Sequence, residues 1–279
     1  MAENQLVGPV EAIHWNPHAW SLPLLGRRLG PRVNNFGDLL GPMIVARIAA
    51  AEGLVAQSSA SQGRTRLLSV GSVVHFGRDG DVVWGSGVNG KMDADRYAFE
   101  ALDVRAVRGP KTRAFLQQRG IDVPAIYGDP GLLFADLFSE LGLRSRPKTR
   151  SVTVMPNLND RRAVSSRHAS IVVLPTEGVT ACVQAIAESE YVVASSLHAI
   201  VIAESIGTPC RLVAATAESP FKYEDYYLGT GRDPIEPAPS VEAALAESPV
   251  EPALEWDPAP LLSAFPRDLW RASSEDPQP

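Results

Sequence analysis

Short apolar runs alternate along the chain with polar or glycine-bearing turns and longer amphipathic stretches, the pattern of strands joined by helices. Val10–Trp15 predicts a first strand, and residues 16–31, punctuated by Pro17, Pro23, Gly26, Gly30 and Pro31, read as loop. A helix is predicted over residues 39–52, with Asp38 as its N-cap, Pro42 in its first turn and Gly53 after it. Strands at 66–70, 81–84, 104–107 and 125–127 follow, with Asp79-Gly80 as a hairpin signal and a helix from Pro110 to Arg119 closed by Gly120. The alternation then restarts: strands at 151–155, 171–174, 191–194 and 211–214, and helices at 178–188 and 199–206, the second stopped by Gly207-Thr208-Pro209. Short helices are expected at 241–247 and 258–265, and disorder over 273–279.

Two such blocks predict an α/β fold of two Rossmann-like halves facing a cleft, with one continuous sheet as the alternative. The first half covers residues 1–145 and the second 146–245, joined by the basic, proline-containing stretch 141–150. Residues 246–279 form a C-terminal segment that folds back on the first half.

Composition narrows the function classes. With 279 residues, 45% hydrophobic and 21% charged, the chain can build a sizeable core. A net charge of −6 disfavours a polyanionic partner such as nucleic acid, while leaving room for a local basic pocket. Cys182 and Cys210 make neither a disulfide framework nor a zinc signature, which predicts a reduced, cytoplasmic setting. The five histidines lack ligand spacing, so no metal is expected. No apolar leader is visible, and no stretch has the length of a membrane span.

The polar turns carry the candidate chemistry. Residues 191–200, Tyr-Val-Val-Ala-Ser-Ser-Leu-His-Ala-Ile, place Ser195 and Ser196 at a helix N-cap and His198 in its first turn, at the carboxyl end of a strand where ligands of open α/β sheets bind. A histidine there is either a packed structural residue or a functional group. Arg108-Gly109-Pro110-Lys111-Thr112 joins a strand-end arginine to a helix N-terminus and a lysine, a combination suited to trapping an anion. Gly85-Ser86-Gly87 offers backbone N–H groups to an anion or sugar, or is only a tight turn. Its spacing to Gly90 fits a dinucleotide fingerprint that lacks its acidic ribose reader. Lys222 lies among aromatics in Phe-Lys-Tyr-Glu-Asp-Tyr-Tyr. Asp38 and Asp129 are each a turn or cap residue, or a carboxylate at the cleft.

Several of these stretches, taken in order, resemble the polysaccharide pyruvyl transferase family. They are Asn35-Phe36-Gly37-Asp38, Trp84 to Gly87, Val107 to Thr112, Tyr127 to Pro130, Ser195 to Ala199, and Lys222 with its Asp-Tyr-Tyr. The resemblance covers about residues 34 to 230 and is similar to the branch that decorates bacterial exopolysaccharides. It implies a GT-B-like fold and transfer of the enolpyruvyl unit of phosphoenolpyruvate onto two sugar hydroxyls, giving a ketal and free phosphate. Phosphoenolpyruvate is then the donor substrate, and no separate cofactor is implied. The acceptor is a sugar of a polysaccharide or of its lipid-linked precursor, the latter reached at the inner face of the plasma membrane without a span. Arg108 and His198 match family positions implicated in donor binding or catalysis. Many members carry Arg-Leu-His where this chain has Ser196-Leu197-His198, and Lys222 is the candidate to supply the missing charge.

On that footing His198 is the candidate acid and Asp38 or Asp129 the candidate base. Arg108, Lys111, Ser195, Ser196 and Lys222 are candidate donor-binding residues, and Asn34, Asn35, Gly85, Ser86, Gly87 and Asn89 line the acceptor side. Two other classes stay open: a GT-B nucleotide-sugar glycosyltransferase, which would release nucleotide, and a non-catalytic sugar- or anion-binding module.

Overall fold

Residues 2–22, 27–54, 64–161, 168–247 and 254–270 are described in the computed structural model. The strands are β1 (Ala2–Val7), β2 (Val10–Trp15), β3 (His18–Leu22), β4 (Arg27–Arg32), β5 (Thr65–Leu68), β6 (Val82–Trp84), β7 (Asp103–Ala106), β8 (Thr153–Met155), β9 (Val192–Ala194) and β10 (Cys210–Leu212). The helices are α1 (Phe36–Ala51), α2 (Pro110–Gln118), α3 (Phe134–Leu137), α4 (Val179–Ala187), α5 (Leu197–Ile206), α6 (Phe221–Gly229), α7 (Val241–Ala246) and α8 (Ala259–Ser263).

The chain is α/β. One sheet has the order β1-β2-β5-β6-β7 and another β10-β9-β8, so these strands do not form one continuous sheet. Pairing is parallel throughout both, except for the antiparallel edge strand β1 on β2. The strands are short and β-branched, with Val82, Val83, Val192 and Val193 buried, as parallel strands covered on both faces require. One apolar core runs from the first sheet through α1 and α5 to the second. Eight residues of α5 are buried, because its sequence is apolar on nearly every side.

Several expectations need correction. Residues 2–7 pair with β2 through a Gly8-Pro9 turn; their polar sequence hides an edge strand that packs on one side only. The stretch 16–31, expected as loop, contains the antiparallel hairpin β3–β4. Asp79-Gly80 does turn, with Gly80 at φ 81°, but β6 leaves it to run parallel to β5, so no hairpin forms. Instead, the Asp79 carboxylate accepts the Glu100 and Ala101 N–H groups at 2.6 and 2.9 Å. The strands expected at 125–127 and 171–174 shrink to single bridges, Val107 to Tyr127 and Val154 to Val172. Helix α1 starts three residues early, with Asn35 in the cap position. Asp38 is therefore inside the first turn, and Pro42 lies beyond it, where it cannot donate the N–H that a helix would direct to the Asp38 carbonyl. The tail at 273–279 lies outside the described residues.

The stretch after α3 is held down rather than free. Leu143 is buried, Arg144 donates to the Ser205 carbonyl at 3.0 Å, and Lys148 donates to the Ala187 carbonyl at 2.8 Å. Near the other end, α8 lies against the first sheet. The fully buried Trp84 donates its indole N–H to the Leu261 carbonyl at 2.8 Å and meets the Phe265 ring edge-on at 5.0 Å. Arg267 pairs with Glu52, and Arg105 with Asp268.

Trp84→Ala removes the largest wholly buried side chain of the first sheet and orphans the Leu261 carbonyl. The expected loss is about 3–5 kcal/mol in denaturant unfolding. A loss below about 1 kcal/mol would show that this junction is not a packed part of the core.

Candidate active site

A cleft of about 320 Å³ opens at the carboxyl ends of the strands of both parallel sheets. The rule that ligands of α/β sheets gather at strand carboxyl ends accounts for nearly all its lining. Trp15 ends β2; Ser72 and His75 follow β5; Asn89 and Lys91 follow β6. From the second sheet come Asn157 and Asn159 after β8, Ser196 and His198 after β9, and Glu218 after β10, with Lys222 on α6. Asn35 and Asp38, at the start of α1, complete it.

Two glycines border the imidazole, one for space and one for its backbone conformation. A Cβ on Gly37 would lie 2.2 Å from His198 Nδ1, so only glycine lets α1 approach α5 this closely. Gly71, at φ 93°, takes a conformation that L side chains rarely adopt. A Cβ there would stand 3.7 Å from Asp38 Oδ1 and 3.8 Å from His198 Nε2, so the two groups face one small space. Within it His198 Nε2 has no hydrogen-bond partner.

The electrostatics set opposite tendencies for these two groups. Burial, reinforced by the positive charges of Lys222 and Arg108, holds the His198 pKa down at about 3, so the imidazole is neutral near pH 7. Burial pushes the Asp38 carboxyl up to about 6, against the hydrogen bond from Asn35 and the attraction of Lys222. Opposite them, Lys222 Nζ donates to Glu218 Oε2 at 2.8 Å, and Lys91 and Asn159 both donate to Oε1. Burial would raise the Glu218 pKa, but Lys222, Lys91 and Asn159 outweigh it and hold the carboxylate below its usual range.

A family model for polysaccharide pyruvyl transferase matches residues 66–215. The chain belongs to the polysaccharide pyruvyl transferase family. No curated protein and no solved structure matches it. Family membership makes it a transferase of the pyruvyl class with a polysaccharide as acceptor. The match takes in Lys91, Arg108, Asn159 and His198, whereas Asp38, Glu218 and Lys222 lie outside it and join the cleft only through the fold.

Of the residues expected at the site, this pyruvyl transferase brings Asn35, Asp38, Asn89, Ser196, His198 and Lys222 to the cleft. The others sit elsewhere. Arg108 is fully buried behind the wall: Nη1 donates to Ser72 Oγ at 2.8 Å, Nη2 to the Val88 carbonyl at 2.7 Å and Nε to Asp225 at 3.1 Å. The anion trap expected at Arg108, the α2 N-terminus and Lys111 does exist, but the chain's own carboxylates fill it. Asp225 accepts the Thr112 N–H at 2.9 Å, and Lys111 pairs with Glu224. Arg108 reaches the cleft through Ser72, whose hydroxyl it fixes as an acceptor.

Asp129 is buried with Oδ1 accepting the Gly131 N–H at 2.9 Å; Oδ2 has no partner, and burial pushes the pKa up to about 6. It does not line the cleft. Gly85 packs on Pro130, Gly87 makes space for the Arg108 guanidinium, and Ser86 Oγ donates to the Gly71 carbonyl at 3.0 Å. That turn therefore shapes the wall without presenting N–H groups to a ligand. Ser195 Oγ accepts the Asn157 N–H at 3.0 Å and borders a separate cavity. Asn34, at φ 53°, exchanges hydrogen bonds with Asn16 and braces the lead-in to α1.

Sequence reasoning missed Trp15, His75, Lys91, Asn157, Asn159 and Glu218. Trp15 ends a predicted strand and the others lie in the stretches just after one, so the strand-end rule applied to every turn would have marked their positions. Among the described residues no cluster of His, Cys, Asp and Glu is placed to hold a metal, and no helix is long and apolar enough to cross a membrane.

Two measurements check this geometry. Asp225→Ala strands a buried guanidinium and should cost about 3–5 kcal/mol of stability; a near-neutral change would show that Arg108 finds water or another partner. Between pH 6.5 and 3 the unfolded chain binds a proton at His198 that the folded chain refuses, so this group destabilises the fold as pH drops. Asp38 acts oppositely between pH 3.8 and 6, where only the folded chain holds its proton. His198→Ala should therefore gain stability relative to the parent as pH falls from 6.5 toward 3. A difference independent of pH, in unfolding curves of the two proteins, would count against a neutral imidazole.

Proposed function

We propose that this pyruvyl transferase moves the enolpyruvyl unit of phosphoenolpyruvate onto two hydroxyls of one sugar. The sugar belongs to a bacterial polysaccharide or its lipid-linked precursor, and inorganic phosphate is released. The observation that carries this reading is the cleft itself, where two lysines face an unpartnered imidazole beside a carboxyl of raised pKa. A trianionic donor needs cations and hydrogen-bond donors, and Lys91, Lys222, Asn159 and Ser196 supply them. The two sheets with a shared cleft support a GT-B-like arrangement. The reaction is placed in the cytoplasm, at the inner membrane face for a lipid-linked acceptor. Cys182 and Cys210, both buried and not joined in a disulfide, support a reduced compartment.

The chemistry balances without a further reagent. Two sugar oxygens form bonds to C2 of the donor, and the C2–O bond to phosphate breaks. Of the two hydroxyl protons released, one ends on the methylene carbon, which becomes methyl, and the other leaves with phosphate. His198 is neutral in the empty cleft and cannot act as an acid there at neutral pH. A bound trianion beside it favours imidazolium and raises its pKa, so the donor arms the acid. Asp38, already raised to about 6, is suited to take a proton from a sugar hydroxyl and to part with it again within the same turnover. Trp15 and Phe76 on the cleft wall offer apolar surface to the sugar ring, and the Asn89 amide stands beside them.

The test is phosphate release from phosphoenolpyruvate with a panel of galactosides, glucosides and mannosides, and mass spectrometry of the sugars. Ketal formation with phosphate is expected from one class. Release of nucleotide from a sugar nucleotide, with no ketal, would replace this reading with glycosyl transfer. His198→Ala should lower turnover about 10²–10⁴-fold. Gly37→Ala should do nearly as much, because the new methyl occupies the imidazole's place. Parental rates in either variant would remove His198 from the mechanism.

A further inference from the structure

Two of the chain's own carboxylates, Asp225 and Glu218, hold cations at the cleft, one in its wall and one in its interior, and they differ in a way that matters. At Arg108 the partner, Asp225, is wholly buried. The surrounding backbone is closed tight: a Cβ on Gly109 would fall 1.8 Å from the Asp225 carbonyl oxygen, and one on Gly229 would fall 2.0 Å from that of Arg108. Nothing can replace that carboxylate without dismantling the wall. At Glu218 the opposite holds. Its carboxylate lines the cleft with the side chain 9% exposed, held by Lys91, Lys222 and Asn159. Its backbone is in the loop between β10 and α6, where Thr216, Ala217 and Pro220 are exposed. The side chain folds inward from a surface loop anchored at Thr216, whose N–H and hydroxyl donate to Asp160, and among the described residues nothing pins the backbone of residue 218 as Gly109 and Gly229 pin the wall.

We infer that Lys91, Lys222 and Asn159 form a carboxylate subsite, held in the empty protein by the Glu218 side chain, and that the carboxylate of an enol or keto acid takes its place. Resting on the reading of phosphoenolpyruvate as donor, this assigns the donor's carboxylate to these three residues and leaves its phosphate and C2 toward His198 and Ser196. Three observations carry it. Two ammonium groups and an amide N–H converging on both oxygens of one carboxylate already form a carboxylate-binding site, with Glu218 as its stand-in ligand. The same cleft holds His198, whose Nε2 lacks any partner while Glu218 occupies the lysines. Charge decides the rest: with Glu218 in place both lysines are spoken for, and a trianion entering beside it would meet a like charge in a half-enclosed site, where repulsion is stronger than in water. Donor and Glu218 therefore compete for one pair of lysines. The exchange keeps the lysines paired in both states and swings one side chain out to solvent.

The experiment is calorimetric titration of the parent protein, Glu218→Gln and Lys91→Met with phosphoenolpyruvate and, separately, with pyruvate, whose carboxylate comes without phosphate. A glutamine keeps the hydrogen-bond shape but not the competing charge. Thermal unfolding of each variant establishes that it is folded. Expected is about tenfold tighter binding of phosphoenolpyruvate by Glu218→Gln, the return of roughly one charge-assisted contact, and about tenfold weaker binding by Lys91→Met. Pyruvate should follow the same order at weaker affinity. If the parent binds phosphoenolpyruvate but Glu218→Gln binds it no tighter, or more weakly, the subsite is overturned while the donor assignment stands. If pyruvate tightens in Glu218→Gln but phosphoenolpyruvate binds no better than pyruvate, the subsite stands and the donor assignment falls. Binding of neither acid to any of the three proteins overturns the subsite.

Discussion

The buried pair of Arg108 and Asp225 is the joint on which the cleft is assembled. Its arginine lies two residues after β7 and its aspartate on α6, so one ion pair ties the first sheet to a helix of the second half. Each remaining donor is spent on structure: the Val88 carbonyl fixes the turn after β6, and Ser72 fixes the turn after β5. Asp225 also takes the Thr112 N–H and hydroxyl, capping α2 from far away in sequence. A buried charge pair contributes little net stability, since desolvation consumes most of the attraction. What it contributes is uniqueness: with either partner elsewhere, a bare charge would be left in the core. The loops after β5 and β6, which carry Ser72, His75, Asn89 and Lys91 to the cleft, are both referenced to this pair.

That arrangement explains which parts of the molecule were legible in the sequence. The α/β class and the helices α2, α4 and α5 follow from periodicity and from glycine and proline stops, which are local signals. His198, Asp38 and Lys222 were legible as polar residues at strand ends and helix starts, and the fold does gather them. Arg108 shows the limit of such reading. A strand-end arginine before a helix N-terminus is an anion trap by its chemistry, but no local pattern tells whether the anion comes from solvent or from residue 225. The role of Glu218 was hidden for the same reason, although its position after a strand was legible. An exposed-looking glutamate in Thr-Ala-Glu-Ser-Pro gains meaning only when Lys91, distant in sequence, arrives beside it. The hairpin β3–β4 and edge strand β1 were missed because their sequences, with Arg27, Arg28, Gly30 and Pro31 in β4 and Glu3, Asn4 and Gln5 in β1, carry no sustained apolar alternation to detect.

The cleft therefore combines permanence with exchange. Its wall is built around the buried pair of Arg108 and Asp225, while its interior keeps an imidazole nitrogen without a partner and, in the proposed exchange, lysines whose partner gives way to the donor. Arg108, which looks reactive by type, serves the wall, Asp129 does not line the cleft, and the proposed chemistry falls to groups whose protonation depends on what enters. His198 and Asp38 face each other with pKa values displaced in opposite directions, so a change of charge in the cleft moves both.

The close approach of α1 to α5 has an evolutionary consequence. With no side chain at position 37, the imidazole of residue 198 lies directly against another helix's backbone. The two positions cannot drift independently: a lineage that acquires even a methyl at 37 must first surrender or re-aim its histidine. A lineage that loses the histidine is released from keeping glycine there and gains a better helix former. Glycine at 37 paired with histidine at 198 would then be inherited as a unit. Separation of the two in a descendant would mark the point at which its cleft turned to other work.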